Sequence, residues 1–404
     1  MTAQPRHIPP AADPAPHRGR PRVSRTVKAV GATVVSAGLV AGGVTATQAF
    51  AEPEQSTQQT PRGGQTAGSV FANRPVADTD LAAGASSGQQ FSYWTQGSDD
   101  RMHLSTAVLL EPQGAAPSGG WPVVAYAHAP AGLASQCGPT QSKLTADVAT
   151  VSDLLRGDYA VIVPDYSMVG VAGSPQYVDY GSTADGLVDA VSAASDVEPS
   201  LSSKWAAVGE GLGAGAAVQL AQSAASSQPS GLDFRGATAT TLPVGYDEVV
   251  TGLSPRSAKV SAGTVTEVVY TLASVDSEQV EPLLTQRGRN LVQKARQVCA
   301  PALTKAIGGT NLADLVRKAV SSDSALLAEL RKALALPSSG FSRPIMLSQK
   351  LVDDETDVPA SLQYVTTAQL ASNKVAAKTY LTGDARDADR QEKAAQADFL
   401  KKLF

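Results

Sequence analysis

The residues that come closest to a reactive site lie in one short stretch, residues 205–218. The stretch has an apolar strand pattern, a turn of alternating glycines and a helix pattern of small residues. A strand–turn–helix with the spacing G-x-S-x-G presents a serine for nucleophilic attack. Gly209 and Gly213 occupy the two flanking positions, and the middle position is Gly211. The turn is therefore predicted to keep its shape while lacking the attacking hydroxyl.

Two simpler interpretations of this turn remain open. It could be an ordinary glycine-rich connection, or a weak phosphate loop, because backbone N–H groups at a helix N-terminus favour anions. It lacks the Gly-Lys-Ser/Thr ending of a P-loop and the spacing of a dinucleotide site. A second match to G-x-S-x-G, at residues 84–88, has no strand pattern before it and no helix pattern after it. We therefore interpret that second match as coincidence.

A serine nucleophile also needs a base, usually a histidine, to accept its proton. The chain contains four histidines: His7, His17, His103 and His128. None follows residue 128, so the chain order serine, acid, histidine cannot be completed after Gly211. We expect His128 to shape a loop through a hydrogen bond. The alternative that the histidine count allows is His128 acting as base for another serine, such as Ser167 or Ser174.

Strands and helices alternate around the turn with the spacing of a mostly parallel sheet covered on both faces. The predicted strands before the turn cover residues 91–94, 103–110, 122–128 and 159–163. An amphipathic helix is predicted at about 144–155, and Ser182 is predicted to cap a helix that ends near Ala194. The first two strands have the alternating polarity of antiparallel strands.

The alternation stops after the strand that follows the turn. Residues 243–340 are mostly helical in pattern, and we expect them to form a cap inserted between two strands of the sheet. The sheet is predicted to resume at 344–348 and 375–381, with helices near 360–372 and from about Asp389. The predicted fold class is α/β, with a mostly parallel sheet flanked by helices and a helical cap insertion.

Residues 1–51 predict an export signal rather than part of the fold. A basic segment precedes a weakly apolar run at 29–44, and cleavage is predicted near Ala51. The run is too short and too rich in Gly, Ser and Thr to span a membrane, so we expect a secreted or cell-envelope protein without stable membrane insertion. Residues 52–88, rich in Gln, Thr, Ser and Gly, predict a flexible tether, which leaves 89–404 as the folded domain.

The charge balance argues against two classes of partner. Residues 1–51 hold six of the 33 Lys+Arg and one of the 37 Asp+Glu, so the mature chain has a net charge of −9. Nucleic-acid binding needs clustered cations, and docking on anionic lipid needs them as well. We therefore expect no nucleic-acid partner. We also expect that the protein uses no cofactor and is a monomer.

The two cysteines, Cys137 and Cys299, predict one disulfide in an exported protein. The bond would close a loop of about 160 residues and stabilise the fold by about 5 kcal/mol. The alternative is a pair of buried free thiols. Neither cysteine has the Cys/His spacing of a zinc site, so no metal centre is expected from them.

Four segments resemble the secreted triacylglycerol lipases of actinobacteria and fungi. Residues 123–130, with 136–139 after them, resemble the strand and oxyanion loop of that family. Residues 157–166 and the helix at 184–191 resemble its next strand–turn and its following helix, and the glycine turn resembles its nucleophile elbow. The resemblance implies the α/β-hydrolase fold and a serine–acid–histidine triad.

The sequence departs from this family at the triad positions. Glu210 and Gly211 stand where the family has histidine and serine, and Arg386 stands where it has the catalytic histidine. Arginine stays charged and cannot accept a proton. Asp353 keeps the spacing of the family's acid and Asp354 is the next candidate, in a loop that is longer than usual.

Two further interpretations concern this acidic loop. Its carboxylates could hold Ca²⁺, but a solvated loop is the interpretation we prefer; they are Asp353, Asp354, Glu355 and Asp357. Arg386 could form a salt bridge with Asp353 or Asp354 across the former site, or lie on the surface.

The sequence thus predicts a secreted, lipase-like protein that has lost catalysis and binds a lipid or acyl ligand in the old cleft. The predicted ligand-binding residues flank the turn: His128, Ala129, Glu210, Gly211 and Leu212. The alternatives are an active lipase or esterase with a non-standard nucleophile, and a structural or interaction module of the cell envelope. Fold resemblance alone does not decide among them.

Overall fold

A mixed sheet of nine strands organises the part of the chain that this computed structural model describes, namely residues 66–129, 131–144, 148–166, 179–350 and 358–404. The predicted export signal lies outside these residues, as do Ser167, Ser174 and the acidic loop with Asp353 and Asp354. Within the described ranges, no helix is long and apolar enough to cross a membrane.

The strands run, in chain order, as β1 (Val70–Pro75), β2 (Ala85–Gln96), β3 (Met102–Pro112), β4 (Trp121–Ala127), β5 (Ala160–Pro164), β6 (Leu201–Glu210), β7 (Asp233–Thr240), β8 (Ile345–Lys350) and β9 (Val375–Tyr380). Their order in the sheet is β1-β2-β3-β5-β4-β6-β7-β8-β9. The pairs from β1 to β5 are antiparallel, and every pair from β5 through β4 to β9 is parallel. The predicted mostly parallel sheet flanked by helices is confirmed.

The helices are α1 (Pro139–Ser142), α2 (Val148–Leu155), α3 (Tyr180–Val197), α4 (Leu212–Ser227), α5 (Tyr246–Thr251), α6 (Ala262–Ser274), α7 (Ser277–Val280), α8 (Gln286–Ala295), α9 (Ala300–Ile307), α10 (Ser324–Ala333), α11 (Val358–Ala371) and α12 (Ala385–Lys401). Six of them, α5 to α10, lie between β7 and β8, in the region where the sequence predicts a helical cap.

Three apolar clusters hold these elements together. The first packs α3, α4 and α11 against one face of the sheet, with Trp205 and Phe234 among its largest members. The second packs α2 and the end of α12 against the other face, around Tyr126 and Val208. The third is the core of the cap, and it reaches down to Leu212 at the start of α4. The glycine turn therefore lies where the cap meets the sheet.

The folded domain begins earlier than the predicted tether allows. Residues 52–88 were expected to be flexible, yet β1 lies within them and pairs with β2, which starts at Ala85. An edge strand is held by backbone hydrogen bonds to its neighbour, so a composition poor in large apolar residues does not prevent it from forming. The G-x-S-x-G match at 84–88 enters this antiparallel strand, where Ser86 and Ser87 bond to the end of β3. This second match therefore does not form the strand–turn–helix of a nucleophile elbow.

Two predicted helix starts need correction. Asp179, rather than Ser182, caps α3, and its carboxylate accepts a 2.8 Å hydrogen bond from the backbone N–H of Ser182. The C-terminal helix starts at Ala385 rather than near Asp389, because the side chain of Asp384 accepts hydrogen bonds from the first turn. An aspartate before a helix competes well with any later serine as the cap.

Candidate active site

The turn from β6 to α4 has the backbone shape of a nucleophile elbow. Its central residue, Gly211, has φ 57° and ψ −129°, a conformation that residues with a Cβ rarely adopt. Its N–H donates to the carbonyl oxygen of Thr240 on the neighbouring strand, and its carbonyl oxygen accepts from the N–H of Ala214. Both sides of the turn are thus fixed, and the position that would carry a nucleophile has only hydrogen.

The two flanking glycines are required by packing. A Cβ added at Gly213 would lie 2.0 Å from the carbonyl oxygen of Ala127, and one added at Gly209 would lie 2.6 Å from the Cβ of Ala217. Atoms at those separations overlap, so the helix could not approach the sheet so closely with alanine at either position. These glycines keep α4 against the carboxyl ends of β4 and β6.

The space above Gly211 is less crowded than the space beside Gly209 and Gly213. A Cβ built on this residue would meet a single atom within 4 Å among the described residues, the Cβ of Ala129 at 3.4 Å. Ala129 follows β4 and is exposed, whereas Leu212 is buried beneath the cap. A side chain would therefore fit at this position without displacing its neighbours, although the backbone angles would be strained for it.

Backbone N–H groups near Gly211 can still attract a carbonyl or carboxylate oxygen. Leu212 is the first residue of α4, so its N–H lies beyond the reach of the helix's own hydrogen bonds, at the positive end of the helix dipole. In a nucleophile elbow the N–H after the nucleophile forms one half of an oxyanion hole, and the loop after an earlier strand supplies the other half. The loop at Ala129 lies in that place.

His128 is buried and turned into the protein interior. Its Nδ1 lies 2.9 Å from the carbonyl oxygen of Ala129, and its Nε2 lies 2.9 Å from the carbonyl oxygen of Pro164. Its ring also stacks on Tyr166 with 4.5 Å between centroids, and the hydroxyl of Tyr166 donates to the carbonyl oxygen of His128. Because both ring nitrogens face carbonyl oxygens, neither is free to accept a proton from a nucleophile in this arrangement.

A buried aspartate holds the same loop in place. Asp165 accepts a 2.8 Å hydrogen bond from the backbone N–H of Thr140, and the hydroxyls of Thr106 and Thr140 also donate to it. Burial raises its pKa, while these hydrogen bonds act in the opposite direction. Gly138 leaves room for the carboxylate, since a Cβ there would lie 2.6 Å from the carboxyl carbon of Asp165. This network joins β3, α1 and the end of β5, and it was not recognised from sequence.

The loop is also joined covalently to the cap. Cys137 and Cys299 form a disulfide across a sequence separation of 162 residues, with Cα atoms 5.3 Å apart. The predicted disulfide is thus confirmed. A backbone hydrogen bond of 2.7 Å from Ala300 N–H to the carbonyl oxygen of Ala131 runs beside it. The cap and the loop that carries Ala129 therefore form one connected unit.

Arg386 lies exposed in the first turn of α12. Its backbone N–H donates to Asp384, and its side chain has no ion pair with any residue in the described ranges. Its assignment to the histidine position of a triad stays a prediction, because the acid candidates lie outside those ranges. Within them, no group of three or more metal-ligating side chains is present.

Glu210 does not lie with the other predicted ligand residues. Its side chain points to the sheet face covered by α2 and α12, where one carboxylate oxygen accepts a 3.0 Å hydrogen bond from the hydroxyl of Tyr126. The structure therefore brings together Ala129, Gly211 and Leu212, while His128 is buried and Glu210 faces away. The period of two along β6 places Glu210 on the face of Val208, which is a signal already present in the sequence.

Comparisons with known proteins bear on the fold. No protein-family model and no curated protein matches the chain. Among solved structures, it is similar to Candida antarctica lipase A in its closed state, with a TM-score of 0.69 and 20% identity over 84% of this chain and 82% of that one. It is also similar to the rice cell wall degrading esterase LipA from Xanthomonas oryzae, with a TM-score of 0.68 and 16% identity over 84% of this chain and 100% of that one. At these identities the likeness concerns architecture, and the chain has the α/β-hydrolase fold that this lipase and this esterase share.

Proposed function

We propose that this protein is a secreted member of the α/β-hydrolase fold that has lost ester hydrolysis and binds a lipid or acyl ligand at the former active site. The observation that carries the proposal is Gly211. It occupies the strained position of an elbow whose flanking glycines and supporting hydrogen bonds are all present. Covalent catalysis through this turn is impossible without a side chain that attacks.

Retention of the surrounding polar groups supports ligand binding. The N–H of Leu212 and the loop at Ala129 flank the empty position, where they suit the oxygen of an ester or carboxylate head group. The apolar core of the cap reaches Leu212, so the surroundings of that head group are apolar on the side of the cap. The neighbouring structures are a lipase and an esterase, which agrees with an acyl-containing ligand.

The secreted location rests on the sequence pattern of residues 1–51 together with the disulfide. Disulfides persist in oxidising compartments and are rare in the cytosol. Expression with residues 1–51 included, followed by mass spectrometry of the medium and cell fractions, tests it. A mature form beginning near residue 52 outside the cytoplasm is expected, whereas an uncleaved chain confined to the cytoplasm contradicts it.

Loss of hydrolysis is tested with p-nitrophenyl butyrate and octanoate and with a fluorophosphonate probe. The purified protein is expected to show neither turnover nor labelling above a heat-denatured sample. If it does hydrolyse the esters, His128→Ala decides between mechanisms. Abolished activity would favour His128 as base for another serine, which is the rival interpretation, while unchanged activity would point to contamination or a base elsewhere.

Ligand binding is tested with a fluorescent fatty acid and by native mass spectrometry of the purified protein. Ala129→Trp should weaken binding, because the indole would fill the space above Gly211 from an exposed position. Ala115→Trp, in the exposed loop that precedes β4, at the other end of that strand from Ala129, is the matched control and should leave binding unchanged. Absence of any bound lipid, together with no difference between the two variants, would favour a structural or interaction module.

A further inference from the structure

A second cavity lies on the other face of the sheet, between α2 and α12, and we call it the α2–α12 groove. It has a volume of about 970 Å³. Its apolar lining includes Tyr159, Val208 and Leu400, each at most 5% exposed. One end of the groove reaches the carboxyl ends of β6 and β8, where Glu210 and Lys350 lie. The groove is therefore apolar along its floor and charged at one end.

Lys350 is already paired within the protein. Its Nζ lies 2.9 Å from a carboxylate oxygen of Asp389 and 3.2 Å from one of Glu392. Burial acts to lower the pKa of Lys350, but the two carboxylates outweigh burial and raise that pKa. Glu392 also accepts a hydrogen bond from the buried hydroxyl of Ser348. This cluster contains two carboxylates and one ammonium group, so it leaves no cation for other acids.

The remaining acid on the side of α2 is paired as well. Asp153 lies 2.9 Å from the Nζ of Lys393, and this ion pair crosses the mouth of the groove from α2 to α12. Arg390, on the same side of α12, is paired with Asp387 at 2.8 Å. Lys401, at the far end of α12, lines the groove without an ion pair to a described residue, whereas the acids named so far are all paired.

Glu210 is the exception. It is half-buried at the charged end of the groove, and its one hydrogen bond within the described residues comes from Tyr126. In the described part of the chain no lysine, arginine or histidine forms an ion pair with it. A carboxylate that has lost part of its water and has no cationic partner is stabilised by a ligand that supplies one.

We infer that the α2–α12 groove is a binding site for an amphiphilic amine, with its ammonium group at Glu210 and its alkyl chain along the apolar floor. The stretch of α12 beside the groove, from Asp389 to Lys401, is roughly 18 Å long at 1.5 Å per residue. That length accommodates an extended chain of a dozen carbons. The site is separate from the position at Gly211, because neither Gly211 nor Ala129 lines the groove, and it does not depend on the proposed function.

Dodecylammonium and dodecanoate, both below their micellar concentrations, are the probes for this site, and isothermal titration calorimetry is the measurement. In the Ala129→Trp variant, which blocks the fatty-acid position proposed above Gly211, dodecylammonium is expected to bind at least tenfold more tightly than dodecanoate, because only the ammonium group pairs with Glu210. Glu210→Gln keeps an oxygen acceptor for Tyr126 and removes the charge, so it should weaken dodecylammonium binding by roughly tenfold. Raising the salt concentration should weaken wild-type binding and affect the variant less.

Two tryptophan variants on α12 locate the site. Ala397→Trp places bulk in the groove and should abolish binding, whereas the exposed Gln391 lies outside the lining, so Gln391→Trp should not change it. Ala129→Trp, which fills the other cleft, should also leave dodecylammonium binding unchanged. Equal affinity of wild type and Glu210→Gln for dodecylammonium, equal binding of the two probes to Ala129→Trp, or loss of dodecylammonium binding in Ala129→Trp would each overturn the inference. Circular dichroism confirms that each variant is folded.

Discussion

The turn between β6 and α4 contains two kinds of glycine. Gly209 and Gly213 are fixed by contacts, since an added Cβ would lie within 2.6 Å of neighbouring atoms at either position. At Gly211 an added Cβ would meet, among the described residues, a single atom at the ordinary contact distance of 3.4 Å, so here it is the backbone angles that favour glycine. The first kind keeps the helix against the sheet, while the second occupies the position where chemistry would take place.

This difference shows how the turn can keep its architecture without a side chain at its middle position. A serine at the angles of Gly211 would be strained by about 1–3 kcal/mol, a cost that an active enzyme bears for the sake of its nucleophile. Glycine adopts the same angles without that strain, so removing the serine stabilises the turn. Nothing comparable holds for Gly209 or Gly213, where any side chain would push α4 away from the sheet.

Removing the disulfide should have the largest effect on stability of the changes considered for this site. Replacing both Cys137 and Cys299 by serine should lower the free energy of unfolding by about 5 kcal/mol, because the unfolded chain regains the freedom of a 162-residue separation. Urea denaturation of the variant and the oxidised wild type measures the difference. A loss below about 1 kcal/mol would mean that the hydrogen bonds around Ala131 and Ala300 suffice to join loop and cap.

Gly213→Ala tests the packing of α4 directly. The new methyl group would start 2.0 Å from the carbonyl oxygen of Ala127, so backbone must move, and we expect a loss of more than about 3 kcal/mol. Thermal and urea unfolding measure it. Gly231→Ala is the matched control, since nothing lies within 4 Å of a Cβ there. Similar stability of the two variants would show that the close approach at Gly213 is dispensable.

A buried acid away from the turn shows that a raised pKa can affect stability without any role in catalysis. Burial raises the pKa of Asp189, on α3, to about 6, with the nearby Asp185 adding to the effect and a 2.8 Å hydrogen bond from Thr95 opposing it. A raised pKa of this kind also occurs in catalytic acids, yet Asp189 packs against β2, away from Gly211. Its pH dependence should therefore appear in stability alone.

The sign of the dependence of stability on pH follows from the difference between the pKa of Asp189 in the folded and in the unfolded chain. The folded protein binds the proton of Asp189 more tightly than the unfolded chain does, so the stability that this proton contributes is complete below pH 4 and is lost as the pH rises through about 6. Asp189→Asn keeps an oxygen acceptor and should be about 2–3 kcal/mol more stable than wild type at pH 7.5, with no gain at pH 4. Urea denaturation at the two pH values measures this, and an equal difference at both would contradict the assignment.

The sheet was largely predictable, and the exceptions have physical causes. The buried strands β4 and β5 are continuous apolar runs, as is the second half of β6 from Trp205 to Val208, and such runs mark strands covered on both faces. The edge strand β1 was missed because its pairing depends on backbone hydrogen bonds, which leave little trace in composition. The cap of α3 was misplaced by three residues, since both Asp179 and Ser182 are good capping residues and only the three-dimensional contacts choose between them.

The site was predictable where it depends on residue identity and unpredictable where it depends on long-range contacts. The missing hydroxyl at Gly211 follows from the sequence alone. The contact between Lys350 and Glu392, or between Tyr126 and Glu210, joins residues far apart in the chain and left no local signal. The direction of Glu210 could have been inferred from strand alternation, because it shares a face with Val208 two residues earlier.

Gly211→Ala gives the smallest effect and the sharpest test of the contrast between the glycines. Among the described residues the methyl group would meet only Ala129, at 3.4 Å, so the variant should lose about 1–2 kcal/mol from backbone strain, less than Gly213→Ala loses. Urea denaturation of both variants measures the gap between them. Binding of the fluorescent fatty acid should change little, because one methyl group leaves the N–H of Leu212 exposed to the ligand. If Gly211→Ala instead proved as unstable as Gly213→Ala, then the middle glycine would also be required by packing, and its presence would say nothing about lost chemistry.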